Sequence, residues 1–176
     1  MRIAPIALWY HESPAEAVAT AVDASRTTHG SRAAVDGCRY LTALLCGALA
    51  GKSRDEILAP RFEPVPGMWA AAPLDPRIDA VAAGSYRDKM PPQVKGDGFV
   101  ANTLEAVLWA FARAKDFRDG LLQVVNLGDD ADTTGAVYGA LAGAYWGVEE
   151  IPSKWRAKLA KRIVIEKLAT ALHDRA

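Results

Sequence analysis

The sequence predicts an all-α domain, on three observations. Alanine supplies 34 of 176 residues, and no residue has a higher intrinsic helix propensity. Apolar residues recur at helical spacing, with no strand-period alternation of useful length. Helix-start signals precede those periodic runs and glycines follow them.

Taken in order, Ser13-Pro-Ala-Glu16 has the pattern of a capping box with Pro at the first helical position. It predicts a helix to about Thr28, where His29-Gly30 stops it. Ser31 caps a second helix with Ala34, Val35, Cys38, Leu41, Thr42 and Leu45 along its apolar stripe, ending at Gly51. Ser53-Arg-Asp-Glu56 opens a short helix that Pro60 closes. Residues 61–100 hold six prolines together with Gly67, Gly84, Gly96 and Gly98. They predict a long irregular connection with one short helix from Asp75-Pro76; such a loop is a functional lid or a mobile linker. Helix resumes around Asn102-Thr103, with Trp109 and Phe111 giving a bulky central face. Asp116 caps Phe117 to Val125; Ala136 to Trp146 follows, and after Pro152 a last amphipathic helix runs to about His173. Its stripe of Trp155, Leu159, Ile163, Val164 and Leu168 is expected to face the core.

The length fits one domain, 1–176, and an apolar share of 51% supports a real core and excludes a disordered chain. Basic and acidic residues balance at 21 each, which removes the simplest argument for nucleic-acid binding. The basic residues of the last helix, Lys154 to Lys167, are its solvated side. No membrane association is expected, because the most apolar segment, Thr133 to Val148, is shorter than the ~20 residues of a span. Pro5 interrupts the apolar start and His11 and Glu12 end it, unlike a signal peptide. Cys38 and Cys46 lie eight positions apart, about 12 Å along a helix, too far for a disulfide. The expectation is a cytoplasmic protein with buried thiols. His11 and His173 are expected at the surface.

Chemistry concentrates in Gly128-Asp-Asp-Ala-Asp-Thr-Thr-Gly135. Asp129, Asp130 and Asp132 repel one another unless protons or a cation intervene. At a turn entering a helix, Asp130, Asp132 and the Thr133 hydroxyl can converge on a hard cation, with Mg²⁺, Mn²⁺ or Ca²⁺ favoured over zinc. The spacing excludes an EF-hand. The competing reading makes the aspartates helix caps and first-turn carboxylates, and spacing alone leaves both open. Gly135, Gly139, Gly143 and Gly147 follow at intervals of four, on one face where another helix is expected to approach closely.

The stretch from Gly128 to Gly147 resembles the C-terminal signature of the ADP-ribosylglycohydrolases. The resemblance extends to Gly98-Phe-Val-Ala-Asn-Thr-Leu-Glu-Ala-Val-Leu-Trp-Ala-Phe111, to Thr28-His29-Gly30 and to Met1-Arg2-Ile-Ala-Pro5. It implies a compact orthogonal helical bundle and hydrolysis of an N- or O-glycosidic bond to ADP-ribose, with two Mg²⁺ ions (Mn²⁺ as the substitute). It further implies Asp130, Asp132 and Thr133 as metal ligands, with His29, Gly98, Phe99 and Arg2 on the substrate side. Catalytic residues stay unassigned. The family's Gly-Asp helix and Thr-Asp-Asp-Thr motif have no counterpart here, so a truncated, C-terminal portion with impaired turnover is expected. Uncovered apolar faces then predict a homo-oligomer or a complementing chain. The alternatives are a non-catalytic ADP-ribose or partner binder and a helical oligomerisation module.

Overall fold

The chain enters a helix almost at once. In the computed structural model, which describes residues 1–174, α1 (Ala4–Trp9) carries Pro5 in its first turn, where a missing N–H costs nothing. The helix α2 (Pro14–Arg26) follows, and the capping box expected at Ser13 does not form. Ser13 sits at φ −126°, ψ 69°, away from cap geometry, and makes no side-chain cap bond. Ser31 does cap α3 (Arg32–Leu49): its hydroxyl accepts from the Ala34 N–H at 3.3 Å. Ser53 and Glu56 form a complete capping box on α4 (Arg54–Ile57).

The connection across 61–100 contains α5 (Met68–Ala71) and α6 (Pro76–Ala82), the latter starting at Asp75-Pro76 as predicted and capped by the Asp75 carboxylate. Next comes α7 (Val100–Arg113), two residues earlier than the sequence suggested. The Asp116 carboxylate accepts from the Asp119 N–H at 2.7 Å and starts α8 (Phe117–Val125). α9 (Ala131–Trp146) begins five residues before the expected Ala136, so the aspartate segment is partly helical. A 3-10 turn, Val148–Glu150, leads to α10 (Ser153–Lys158) and α11 (Arg162–His173). The single last helix expected from the sequence is therefore two, broken where Lys161 takes φ +57°.

The core forms around α3 and α7. Every residue from Tyr40 to Ala48 and from Thr103 to Phe111 is buried. α3 touches α1, α2, α4, α6, α7 and α9. One buried ion pair fastens the irregular connection to it. Arg39 donates to Asp36 at 2.7 Å and to the Ala72 carbonyl at 2.8 Å, while Asp36 accepts the Asp75 N–H at 2.7 Å. With Lys89 on Glu105 at 2.8 Å and Trp109 Nε1 on the Lys89 carbonyl at 3.0 Å, this segment is hydrogen-bonded to α3 and α7 at Ala72, Asp75 and Lys89.

Three expectations are corrected. The stripe from Leu159 to Leu168 does not face the core: Leu159, Ile163, Val164 and Leu168 are exposed, because α11 packs mainly against α1. The expected close approach to the glycines of α9 is met only at Gly135, where Val125 and Leu121 of α8 stand 3.0 and 3.6 Å from a placed Cβ; nothing lies within 4 Å of one at Gly139 or Gly143. Cys46 is buried, and burial raises its thiol pKa to about 11, but Cys38 is only half-buried. His173 is exposed as expected, and its ring stacks on His11 with centroids 5.0 Å apart. Among the described residues no helix is long and apolar enough to cross a membrane.

Candidate functional site

A cleft of about 740 Å³ opens between the N-terminal segment, the end of α2, one face of α3 and the starts of α7 and α9. It gathers Arg2, His29, Gly98, Asp130 and Thr133, five of the seven residues singled out in the sequence. Asp132 and Phe99 do not line it. Asp132 is exposed on the first turn of α9, and Phe99 stands exposed at the start of α7 between the lining residues Gly98 and Val100. The floor is apolar: Ala34, Gly37, Cys38 and Leu41 of α3, at one-face helical spacing, meet Leu104 and Val137.

Each polar group has a local cause for its place. Beyond α2, His29 N–H donates to the Ser25 carbonyl at 2.7 Å, and the buried Ser25 hydroxyl donates to the His29 carbonyl at 2.9 Å. This turn presents Thr28, which accepts from Arg2 at 3.3 Å and hydrogen-bonds the His29 ring at 2.9 Å. Arg2, Thr28 and His29 thus form one polar wall. Thr27 and Thr28, which also line the cleft, were not among the candidates; the Thr28-His29-Gly30 triplet marked only Thr28, and nothing marked Thr27.

On the opposite wall two loops interlock. Gly128 and Asp129 both take positive φ, +82° and +50°, reversing the chain ahead of α9. Asp130 N–H then donates to the Gly96 carbonyl at 2.8 Å, and the buried Thr134 hydroxyl donates back to the Asp130 carbonyl at 2.9 Å. Gly98 has φ +79°, and a Cβ there would stand 2.7 Å from Asp130 Oδ2. Only glycine lets the loop lie against that carboxylate. Asp97 shapes the same loop by accepting from the Phe99 N–H at 3.1 Å and the Asn102 amide at 2.8 Å.

Asp130 stands at the N-cap position of α9, yet its side chain makes no cap hydrogen bond. The simple capping role therefore does not use it. Asp130 and Thr133 offer oxygens to the cleft, a donor set suited to a hard cation that keeps several waters. Among the described residues no three His, Cys, Asp or Glu side chains form a metal cluster by themselves. Asp130 is also the only carboxylate among the lining residues. Its neighbour Asp129 lines a separate cavity of about 550 Å³ with Asp97, Trp109 and Asn126, so the adjacent aspartates serve different surfaces.

Compared with known proteins, the whole chain, residues 1–176, matches the family model described as ADP-ribosylglycohydrolase. It is 39% identical over its full length to the ADP-ribosylarginine hydrolase Tri1 of Pseudomonas putida and 32% identical over 98% of its length to that of Serratia proteamaculans. It covers 45% and 44% of those proteins, so the chain spans less than half the length of these relatives. A solved structure titled ADP-ribosylglycohydrolase-related protein complex superimposes with a TM-score of 0.86 at 40% identity, over 97% of this chain and 56% of the other.

Proposed function

The chain belongs to the ADP-ribosylglycohydrolase family, and on that premise we propose that its cleft binds an ADP-ribosyl group and serves hydrolysis of the glycosidic bond at that group. The observation that supports this reading most is the convergence of Arg2, His29, Gly98, Asp130 and Thr133 on one cleft from four separate segments. Arg2 and the Thr28–His29 turn supply donors for phosphate oxygens. The apolar floor from α3 excludes water beneath the sugar. Asp130 and Thr133, the two expected metal ligands that line the cleft, would hold Mg²⁺, which when bound orients ribose hydroxyls and lowers the pKa of a bound water.

A second reading is binding without turnover, and one observation favours it. Glycosidases that work through carboxylates use two across the scissile bond, whereas this cleft presents Asp130 alone among the described lining residues. Calorimetric titration of ADP-ribose, with and without Mg²⁺, separates the readings when paired with an assay for ADP-ribose release from ADP-ribosylated arginine. Metal-dependent binding that is lost in Asp130→Ala, together with release, supports the hydrolase. Binding without release supports the binder. No heat in any condition removes both.

A further inference from the structure

We propose that Thr28 is a positioning residue for this cleft: its hydroxyl relays a hydrogen bond from Arg2 to His29 and fixes the imidazole as the tautomer that presents Nε2–H to a phosphate oxygen of the ligand. The inference rests on the reading of the cleft as an ADP-ribosyl site. Arg2, Thr28 and His29 all line that cleft, on the wall facing Asp130.

The donors and acceptors of this wall set the direction of each bond. A guanidinium only donates, so Thr28 Oγ1 accepts from Arg2 Nη2 at 3.3 Å. His29 Nδ1 stands 2.9 Å from the same oxygen. An oxygen already accepting from a cation is polarised, which makes it a poorer second acceptor and its O–H a stronger donor. The hydroxyl proton therefore goes to Nδ1, and the ring proton of the neutral imidazole sits on Nε2.

The backbone holds both side chains in register. The N–H groups of Thr28 and His29 both donate to the Ser25 carbonyl, at 3.0 and 2.7 Å. The hydroxyl of the buried Ser25 returns a bond to the His29 carbonyl at 2.9 Å. Thr28 is itself exposed, so removing its hydroxyl should leave the fold intact. What the hydroxyl settles is the sign of the wall. A bare Nε2 lone pair repels a phosphate oxygen, whereas Nε2–H donates to it. Donation into Nδ1 strengthens that N–H further. The neutral ring thus attracts an anion without carrying a charge of its own.

The test compares wild type, Thr28→Val, Thr28→Ser, His29→Phe and the double variant Thr28→Val/His29→Phe. Ligand-free protein carrying ¹⁵N-labelled histidine, held at alkaline pH, gives the tautomer by NMR. His29→Phe assigns the signal, and His11 and His173 serve as internal controls. Expected in wild type and Thr28→Ser are a protonated Nε2 and a hydrogen-bonded Nδ1. In Thr28→Val both nitrogen signals should move as the ring loses that bond. A proton on Nδ1 in wild type, or an unchanged His29 spectrum in Thr28→Val, overturns the proposal. Calorimetry with ADP-ribose, which carries phosphates, and adenosine, which does not, reads the consequence. Thr28→Val should lose about three- to tenfold in ADP-ribose affinity, while Thr28→Ser stays within about twofold of wild type. The double variant should lose no more than His29→Phe. Additive losses would make Thr28 a direct ligand contact and overturn the relay, as would equal losses for the two ligands. Wild-type protein that binds neither ligand overturns the cleft reading instead, and the ligand-free spectra still decide whether Thr28 sets the ring.

Discussion

Two helices with similar apolar patterning meet opposite fates in this molecule. In α3 the stripe disappears into the core, with Leu44 at 0% and Leu45 at 2% exposure. In α11 the corresponding residues stand out, Ile163 at 67% and Leu168 at 60%. Periodicity declares which face of a helix is apolar; only neighbours decide whether that face is covered. α3 has six helices around it, while α11 leans on α1 beyond a break at Lys161.

The strongest way to break this comparison is to truncate one leucine in each helix. Leu44→Ala should cost about 3–5 kcal/mol of unfolding free energy, since its surroundings cannot collapse into the gap. Leu168→Ala should stay within about 0.5 kcal/mol. Urea denaturation monitored by circular dichroism measures both, and equal losses would mean that α11 is covered in solution.

A smaller effect sharpens the packed side. The Tyr138 hydroxyl is buried without a protein partner and presses on Gly120, where there is no room for a Cβ. Burial and the nearby Asp119 and Asp116 raise the pKa of this phenol, so it stays neutral. Gly120→Ala should destabilise by about 1–3 kcal/mol through overpacking. Tyr138→Phe should cost nothing or stabilise slightly, because an unpaired buried hydroxyl is removed. Thermal melts of the two variants should therefore move in different directions, or only the first should move.

The smallest expected effect lies on the surface, at the α4 capping box. The Ser53 backbone N–H, helped by Lys52 and the Ser53 hydroxyl, lowers the Glu56 pKa from its ordinary 4.5 to about 2. A depressed carboxylate contributes stability that is present above its ordinary pKa and lost as pH falls through the folded value. Acid titration followed by NMR should find Glu56 still ionised at pH 3.5, with α4 loosening between about pH 4.5 and 2. Glu56→Gln should abolish that pH dependence while leaving α3 undisturbed.

Most of the fold was legible because helix starts are local events. Ser31, Ser53, Asp75 and Asp116 each bond to an N–H two or three residues on. α1 was not foreseen, since a six-residue helix beginning beside Pro5 carries little periodic signal. The break at Lys161 was hidden for a different reason: neither Gly nor Pro marks it. In the candidate site, Asp130 and Thr133 were legible from the acidic spacing at a helix entry as well as from motif resemblance, and His29, Gly98 and Arg2 from resemblance. The glycines of α9 misled in part. Spacing by four puts small residues on one face, yet of these only Gly135 is approached, by Val125 and Leu121, while tighter contacts fall at Gly37, Gly47 and Gly120, where Val100, Phe62 and Tyr138 arrive from elsewhere in the chain.

The hydrogen bond from Asp130 N–H to the Gly96 carbonyl joins two loops 34 positions apart. Neither wall segment can breathe alone: a fluctuation that lifts Asp130 must also tug the residues leading into α7. A ligand gripped by the Asp130 carboxylate would therefore quiet the Gly96–Phe99 loop through this bond as well as by contact at Gly98. The solvent-exchange rate of that one amide hydrogen would act as a gauge for both sides of the cleft.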